Sequence, residues 1–302
     1  MADFGFRGAS LPSRRMISRE LSAQAKINLG LRILSRRPDG YHDIRSVFQT
    51  VSLADRVKLT ARQGPRGVRL STTGLEVAEG TRNLAYQAAE SFIQRFDLDL
   101  HVEISIDKRI PVSAGLGGGS SDAAAVLRSM TAAGPEGPAV VELAGRLGCD
   151  VPFFLEGGAA LVEGRGEVLT PLEPFRFWAV LMNPGVRVGS GWAYDRWDRE
   201  GESLTDVDAA EHYSAPAGRW LQGEEFPLEL RNDFLPIVAA EHPSVARAAA
   251  ILGEYGATWG LSGSGPTLYA LFHTQREAEA FAGTLPGGYE YYICRSTSPA
   301  GA

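Results

Sequence analysis

Apolar residues alternate over 22–34: Ala23, Ala25, Ile27, Leu29, Leu31 and Ile33 fall on one side, and Gln24, Lys26, Asn28 and Arg32 on the other. Period two is the mark of a half-buried strand, and it makes Lys26 and Asn28 project from the same face. Leu100, Val102, Ile104 and Ile106 repeat the alternation, and residues 46–53, 56–60, 177–182, 268–272 and 289–293 are strand-like. Leu84, Ala88 and Phe92 stand four apart, which predicts an amphipathic helix over 81–96 capped by Thr81. Further helices are expected at 138–147, closed by Gly148, at 244–255 and at 275–282. Residues 195–225 are polar and patternless, the composition of a long loop or helical insertion.

The strand ending at Ile106 delivers Lys108 and Arg109 to Pro111-Val112-Ser113-Ala114-Gly115-Leu116-Gly117-Gly118-Gly119-Ser120-Ser121, and an alanine-rich helix starts at once. Four glycines in five positions allow backbone to approach a ligand closely, and Ser120 or Ser121 is a good N-cap. Unpaired N–H groups and the positive helix end would converge there on a polyanion such as a nucleotide phosphate chain. A Walker A loop requires Gly-Lys-Ser/Thr, and a dinucleotide fingerprint requires glycine where Ser120 stands, so neither motif fits. A flexible linker has similar composition, but linkers are not normally flanked by an alternating strand and an abrupt helix.

Two shorter stretches bear on chemistry. Pro38-Asp39-Gly40 is a turn signal leading directly into Tyr41 and His42. Gly148-Cys149-Asp150-Val151-Pro152 places Asp150 at the end of a helix, where Pro152 is expected to stop the helix and send Phe153 and Phe154 into the core through a strand. Taken alone, Lys26 and Asn28 could be surface residues, Tyr41 could simply cover its turn, and Asp150 could merely shape a junction. The second glycine-serine segment, 260–267, precedes the strand at 268–272 and could line the same phosphate cleft.

At 302 residues with 44% apolar content, the chain can build two ordinary domains. A net charge of -6 argues against nucleic acid or a membrane surface as partner, so an anionic substrate must meet local cations. Cys149 and Cys294 are the only cysteines and no apolar run is long enough to span a membrane, which points to a reducing, soluble compartment, the cytoplasm. Residues 1–21 are arginine- and serine-rich and are expected to be an extension; Met16 offers an alternative start.

Taken together, the segments 111–121, 25–29 and 261–266 resemble the galactokinase, homoserine kinase, mevalonate kinase and phosphomevalonate kinase superfamily. Within it, Pro38–His42, Gly148–Phe154 and Gly164-Arg165-Gly166-Glu167 resemble the family whose members phosphorylate 4-diphosphocytidyl-2-C-methyl-D-erythritol. The resemblance implies an α+β protein with a ribosomal protein S5 domain 2-like N-terminal domain over 22–175 and a ferredoxin-like C-terminal domain over 176–302. It implies ATP as co-substrate, Mg²⁺, a small-molecule cytidine-diphosphate substrate and a monomer or homodimer. By position, Lys26 and Asp150 fall on the catalytic pair and residues 111–121 on the ATP-phosphate loop. Asn83 and Lys108 fall near the nucleotide base; Asn28, Tyr41 and His42 fall on positions that hold the cytidine substrate. No dedicated metal ligands are assigned; the Ser120 or Ser121 hydroxyl with ATP oxygens could suffice, since Mg²⁺ keeps waters and takes few protein ligands.

Cys149 stands where alanine is commoner, Gly189-Ser190-Gly191-Trp192 matches the family's substrate stretch loosely, and 195–225 match poorly. A homoserine or mevalonate kinase would not need the aromatic turn at 38–42. A nucleotide-binding regulator without catalysis would not need both Lys26 and Asp150.

Overall fold

A computed structural model describes residues 16–76, 80–200 and 230–299. The chain divides into two compact units interleaved along the sequence: 1–23, 55–108 and 119–155 form the first, and 24–54, 109–118 and 156–302 the second. The expected boundary near Phe175 falls inside the second unit.

In the first unit, β4 (Leu100–Lys108) pairs antiparallel with the 56–63 part of β2 (His42–Gln63) and parallel with β3 (Gly67–Gly74). Val102, Ile104 and Ile106 are buried on one face of β4 as their alternation requires. Helix α1 (Leu84–Arg95) buries Ala85, Ala88, Ala89, Phe92 and Ile93, a single stripe. Helices α2 (Gly118–Met130), α3 (Pro138–Leu147) and α4 (Val151–Glu156) follow.

In the second unit, β7 (Trp178–Asn183), β8 (Thr258–Leu261), β9 (Leu268–Phe272) and β10 (Glu290–Arg295) form an antiparallel sheet in the order β10-β7-β9-β8. Residues 46–49 of β2 pair with β5 (Ala159–Glu163), which pairs with β6 (Val168–Leu172). Helices α5 (Ser190–Glu200), α6 (Leu235–Glu241), α7 (Pro243–Glu254) and α8 (Gln275–Ala282) complete the unit. Thr274 and Glu277 cap α8 reciprocally, a capping box that fixes where it starts.

Five local expectations are corrected. Strand β1 (Ile17–Arg36) is buried on both faces over much of its length, Lys26, Asn28 and Arg32 included, because those polar side chains are paired inside the protein. The two strands expected at 46–53 and 56–60 are one strand, since Asp55 is buried against a cation and need not interrupt it. Helix α1 is capped by Asn83, whose Oδ1 accepts from the Ala85 N–H, and Thr81 lies in a preceding 3-10 turn. Helix α2 begins at Gly118, so Ser120 and Ser121 lie in its first turn; the positive φ values end at Gly117, and Gly118 and Gly119 take helical geometry. Pro152 opens α4 instead of preventing a helix, because the first turn has no N–H partner for proline to forfeit.

The patternless stretch is helical as far as Glu200, and residues 201–229 lie outside the described residues. Residues 1–15 do too, while β1 already begins at Ile17, within the stretch read as an extension.

Candidate active site

In the second unit, Lys26 is a buried cation on β1 whose Nζ donates to Asn28 Oδ1 at 2.6 Å and lies 4.5 Å over the Phe48 ring. A buried ammonium has few places to be, and an amide oxygen two residues along the same strand face aims it. Asn28 is held in turn: its Nδ2 donates to Ser46 Oγ at 2.9 Å, and Ser46 donates to the Gly30 carbonyl at 2.6 Å. Asn28, expected to hold substrate, therefore has both ends of its amide engaged by the protein.

The glycine turn lies against the same strand, the Lys26 N–H donating to the Leu116 carbonyl at 3.0 Å. The 262–267 segment lies beside it: Ser262 Oγ donates to the Gly115 carbonyl at 2.9 Å. Gly115 has a φ of +77°, and a Cβ there would come within 2.1 Å of the Ser262 carbonyl oxygen. Only glycine allows this approach of two backbones. Residues 111–118 belong to the second unit and 119–121 to the first.

Tyr41 follows the 38–40 turn and is 54% exposed, with the Arg165 guanidinium 4.9 Å over its ring. His42 is buried. Its Nε2 lies 2.6 Å from Asp198 Oδ1, and its ring stacks on Tyr194 at 4.8 Å and 12°. Tyr194 packs edge-on against Phe234.

In the first unit, Asp150 is half-buried in the turn between α3 and α4. Asn83 is buried at the start of α1, its Oδ1 used as the helix cap. Lys108, at the end of β4, is buried between two carboxylates: Asp55, and Asp122 of α2 at 2.7 Å. Two acids sharing one ammonium leave surplus negative charge away from water, and Asp122 Oδ1 has no partner among the described residues. Burial, the largest cause, lifts Asp122 to about 7; Lys108 opposes the shift and Asp55 adds to it.

A carboxyl raised in the folded state favours folding fully below its unfolded value near 3.8, and that advantage is lost as pH climbs through about 7. Asp122→Asn keeps the shape and removes the titration. Urea midpoints at pH 5 and pH 8 should therefore lie closer together in the variant than in the parent chain; an unchanged gap would mean Asp122 carries no such linkage.

Residues 83–158 match the GHMP kinases N terminal domain, and residues 222–290 match GHMP kinases C terminal. The chain is 37% identical over 271 residues to the 4-diphosphocytidyl-2-C-methyl-D-erythritol kinase of Citrifermentans bemidjiense, covering 88% of this chain and 94% of that one. It is 41% identical over 273 residues to the enzyme of that name from Anaeromyxobacter sp. (strain K), covering 88% and 84%. A crystal structure of 4-(cytidine 5'-diphospho)-2C-methyl-D-erythritol kinase superposes with a TM-score of 0.72 at 34% identity, over 93% of this chain and all of that one. The chain belongs to the 4-diphosphocytidyl-2-C-methyl-D-erythritol kinases. Homoserine kinase from Cytophaga hutchinsonii, at 18% identity and a TM-score of 0.69, shares the fold.

For a kinase of this family, several residues in these networks are absent from the motifs. Asp55 and Asp122 carry no motif of their own and meet Lys108 only through folding. Tyr194 and Asp198 lie four apart on α5, a spacing that puts both on one helix face toward His42. That spacing was readable within a segment whose polarity otherwise obscures it. Among the described residues no three His, Cys, Asp or Glu side chains converge as a metal cluster, and no helix is long and apolar enough to cross a membrane.

Proposed function

We propose that Lys26 and Asp150 are the catalytic residues of this ATP-dependent 4-diphosphocytidyl-2-C-methyl-D-erythritol kinase, which phosphorylates the 2-hydroxyl of its substrate in the mevalonate-independent route to isoprenoid precursors. The observation that carries the reading is the buried Lys26 ammonium, aimed by Asn28 and hydrogen-bonded through its own backbone to the glycine turn. A chain that needed Lys26 only for packing would not bury its charge and orient it this way.

Phosphoryl transfer through a loose transition state asks mainly for alignment and charge stabilisation. The 111–121 loop holds the ATP phosphates through its backbone amides, and Lys26 neutralises charge building on the transferred group. Asp150 orients the substrate hydroxyl. A carboxylate is a weak base toward an alcohol, so it receives the proton late, once bonding to phosphorus has acidified the hydroxyl. Asn83 and Lys108 flank the nucleotide base; each acts there through its position, Asn83 as a helix cap and Lys108 as the cation of the buried triad. Asn28 serves the substrate side by orienting Lys26, and Tyr41 and His42 hold the cytosine.

The Ser120 and Ser121 hydroxyls, in the first turn of α2, are hard oxygen donors that suit Mg²⁺ together with ATP oxygens. The ion would supply charge neutralisation on the phosphates. The enzyme works in the cytoplasm as a monomer or homodimer; its sequence domains, 22–175 and 176–302, part near Phe175 within the second compact unit.

ADP release measured in parallel with the cytidine-diphosphate alcohol, mevalonate and homoserine tests the assignment. Turnover should be confined to the cytidine compound; comparable turnover of mevalonate or homoserine would overturn it. Base–aromatic stacking is worth about 1–3 kcal/mol, so Tyr41→Ala should raise KM for the cytidine substrate by roughly 5- to 100-fold with KM for ATP little changed. Equal effects on both would remove Tyr41 from the cytosine pocket.

A further inference from the structure

His42 reaches Asp198 through Nε2 at 2.6 Å, while Tyr194, one turn earlier on the same helix, covers a face of its ring. Arg36 Nη1 lies 3.4 Å from the other oxygen of that carboxylate, so the acid is itself held. A carboxylate only accepts hydrogen bonds, so Nε2 must carry the proton that bridges to it. In the neutral ring Nδ1 is then left with a lone pair.

The 4-position distinguishes the two common pyrimidines: cytosine presents an amino donor there, uracil a carbonyl acceptor. The geometry points to Asp198 as a positioning residue that fixes the His42 tautomer, so that Nδ1 accepts from the cytosine amino group and refuses the oxygen of a uridine substrate. This rests on the reading that His42 faces the base. Selectivity for the cytidine nucleotide is then set from α5 by a residue that need not touch the substrate.

The test combines ¹⁵N spectra of the histidine-labelled full-length chain with kinetics on the cytidine-diphosphate alcohol and its uridine-diphosphate analogue. His42 is assigned by the signal lost in His42→Gln. In the parent chain its Nε2 should resonate as a protonated ring nitrogen and Nδ1 as an unprotonated one. Asp198→Asn is close in shape, but its amide can also donate to Nε2 and so admits the other tautomer. It should mix the two ring signals and lower the cytidine-over-uridine ratio of kcat/KM by about tenfold, the scale of one well-placed hydrogen bond, through KM and with KM for ATP unchanged.

A protonated Nδ1 in the parent chain would overturn the inference. So would Asp198→Asn that keeps both the parent spectrum and the parent selectivity while His42→Gln raises KM for the cytidine substrate. If His42→Gln leaves that KM untouched, the placement of His42 against the base is what fails, and the inference falls with it whatever the spectra show.

Discussion

Asp150→Asn lowers kcat by roughly 10²- to 10⁴-fold, the range lost with a group that handles a proton in the transition state, while the dissociation constant for ATP stays within about threefold. The amide keeps the size of the side chain and can still hold a hydroxyl, but it cannot take the proton when the bond to phosphorus forms. The loss therefore appears in kcat, with kcat/KM for the alcohol falling in proportion, as expected for an interaction made only in the transition state. Asp150 sits in the turn between α3 and α4, and it is only half-buried, so the substitution leaves the core around Phe153 and Phe154 in place. Pre-steady-state binding of a fluorescent ATP analogue and steady-state ADP release on the same preparation check the two halves. Retained turnover in the purified variant would remove Asp150 from the chemistry.

Lys108→Met destabilises the folded chain by about 3–5 kcal/mol, the usual cost of removing one partner from a buried charge network. The loss is large because it strands Asp55 and Asp122 together, both fully or nearly fully buried. Adding Asp55→Asn and Asp122→Asn to Lys108→Met should restore much of the stability, since the deficit belongs to the uncompensated carboxylates and not to a missing contact. Urea unfolding of the single and triple variants measures this. A single variant within about 1 kcal/mol of the parent, the scale of a surface pair, would show that Lys108 is not locked in the triad. The same variant should weaken ATP binding only as far as it perturbs the start of α2, because Asp122 ties that helix to β4 through Lys108.

Much of the fold was legible because burial and periodicity agree. The spans of α3, α8 and β9 coincide with their sequence patterns, Gly148 closes α3, and the apolar positions of β1 and β4 point where alternation requires. The departures occur where tertiary pairing outweighs local preference. The expected gap between 46–53 and 56–60 closes into one strand, β2, because Lys108 neutralises the buried Asp55. Pro152 reads as a helix stop and becomes a helix start, because proline is costly inside a helix and harmless in its first turn. Asn83 replaces Thr81 as the cap of α1, both being residue types that cap well.

The candidate site was legible at its ends and not in its middle. The glycine turn, Lys26 and the 38–42 turn announce themselves by composition and spacing. Asp198 and Asp122 do not, because their partners His42 and Lys108 are 156 and 14 positions away, and such pairings leave no local pattern. Asn28 shows the same limit: its neighbour Lys26 is two residues off, yet the bond from Nδ2 to Ser46 that fixes the amide could only be seen in three dimensions.

If Lys26 and Asp150 serve one and the same transfer step, a double-mutant cycle on kcat will show it. With Lys26→Met, Asp150→Asn and the double variant compared under saturating ATP and cytidine-diphosphate alcohol, the double variant should be no more than about tenfold slower than the slower single one, as for residues that act as a unit. If the two losses multiply in full, the two residues act independently and do not share one transfer step.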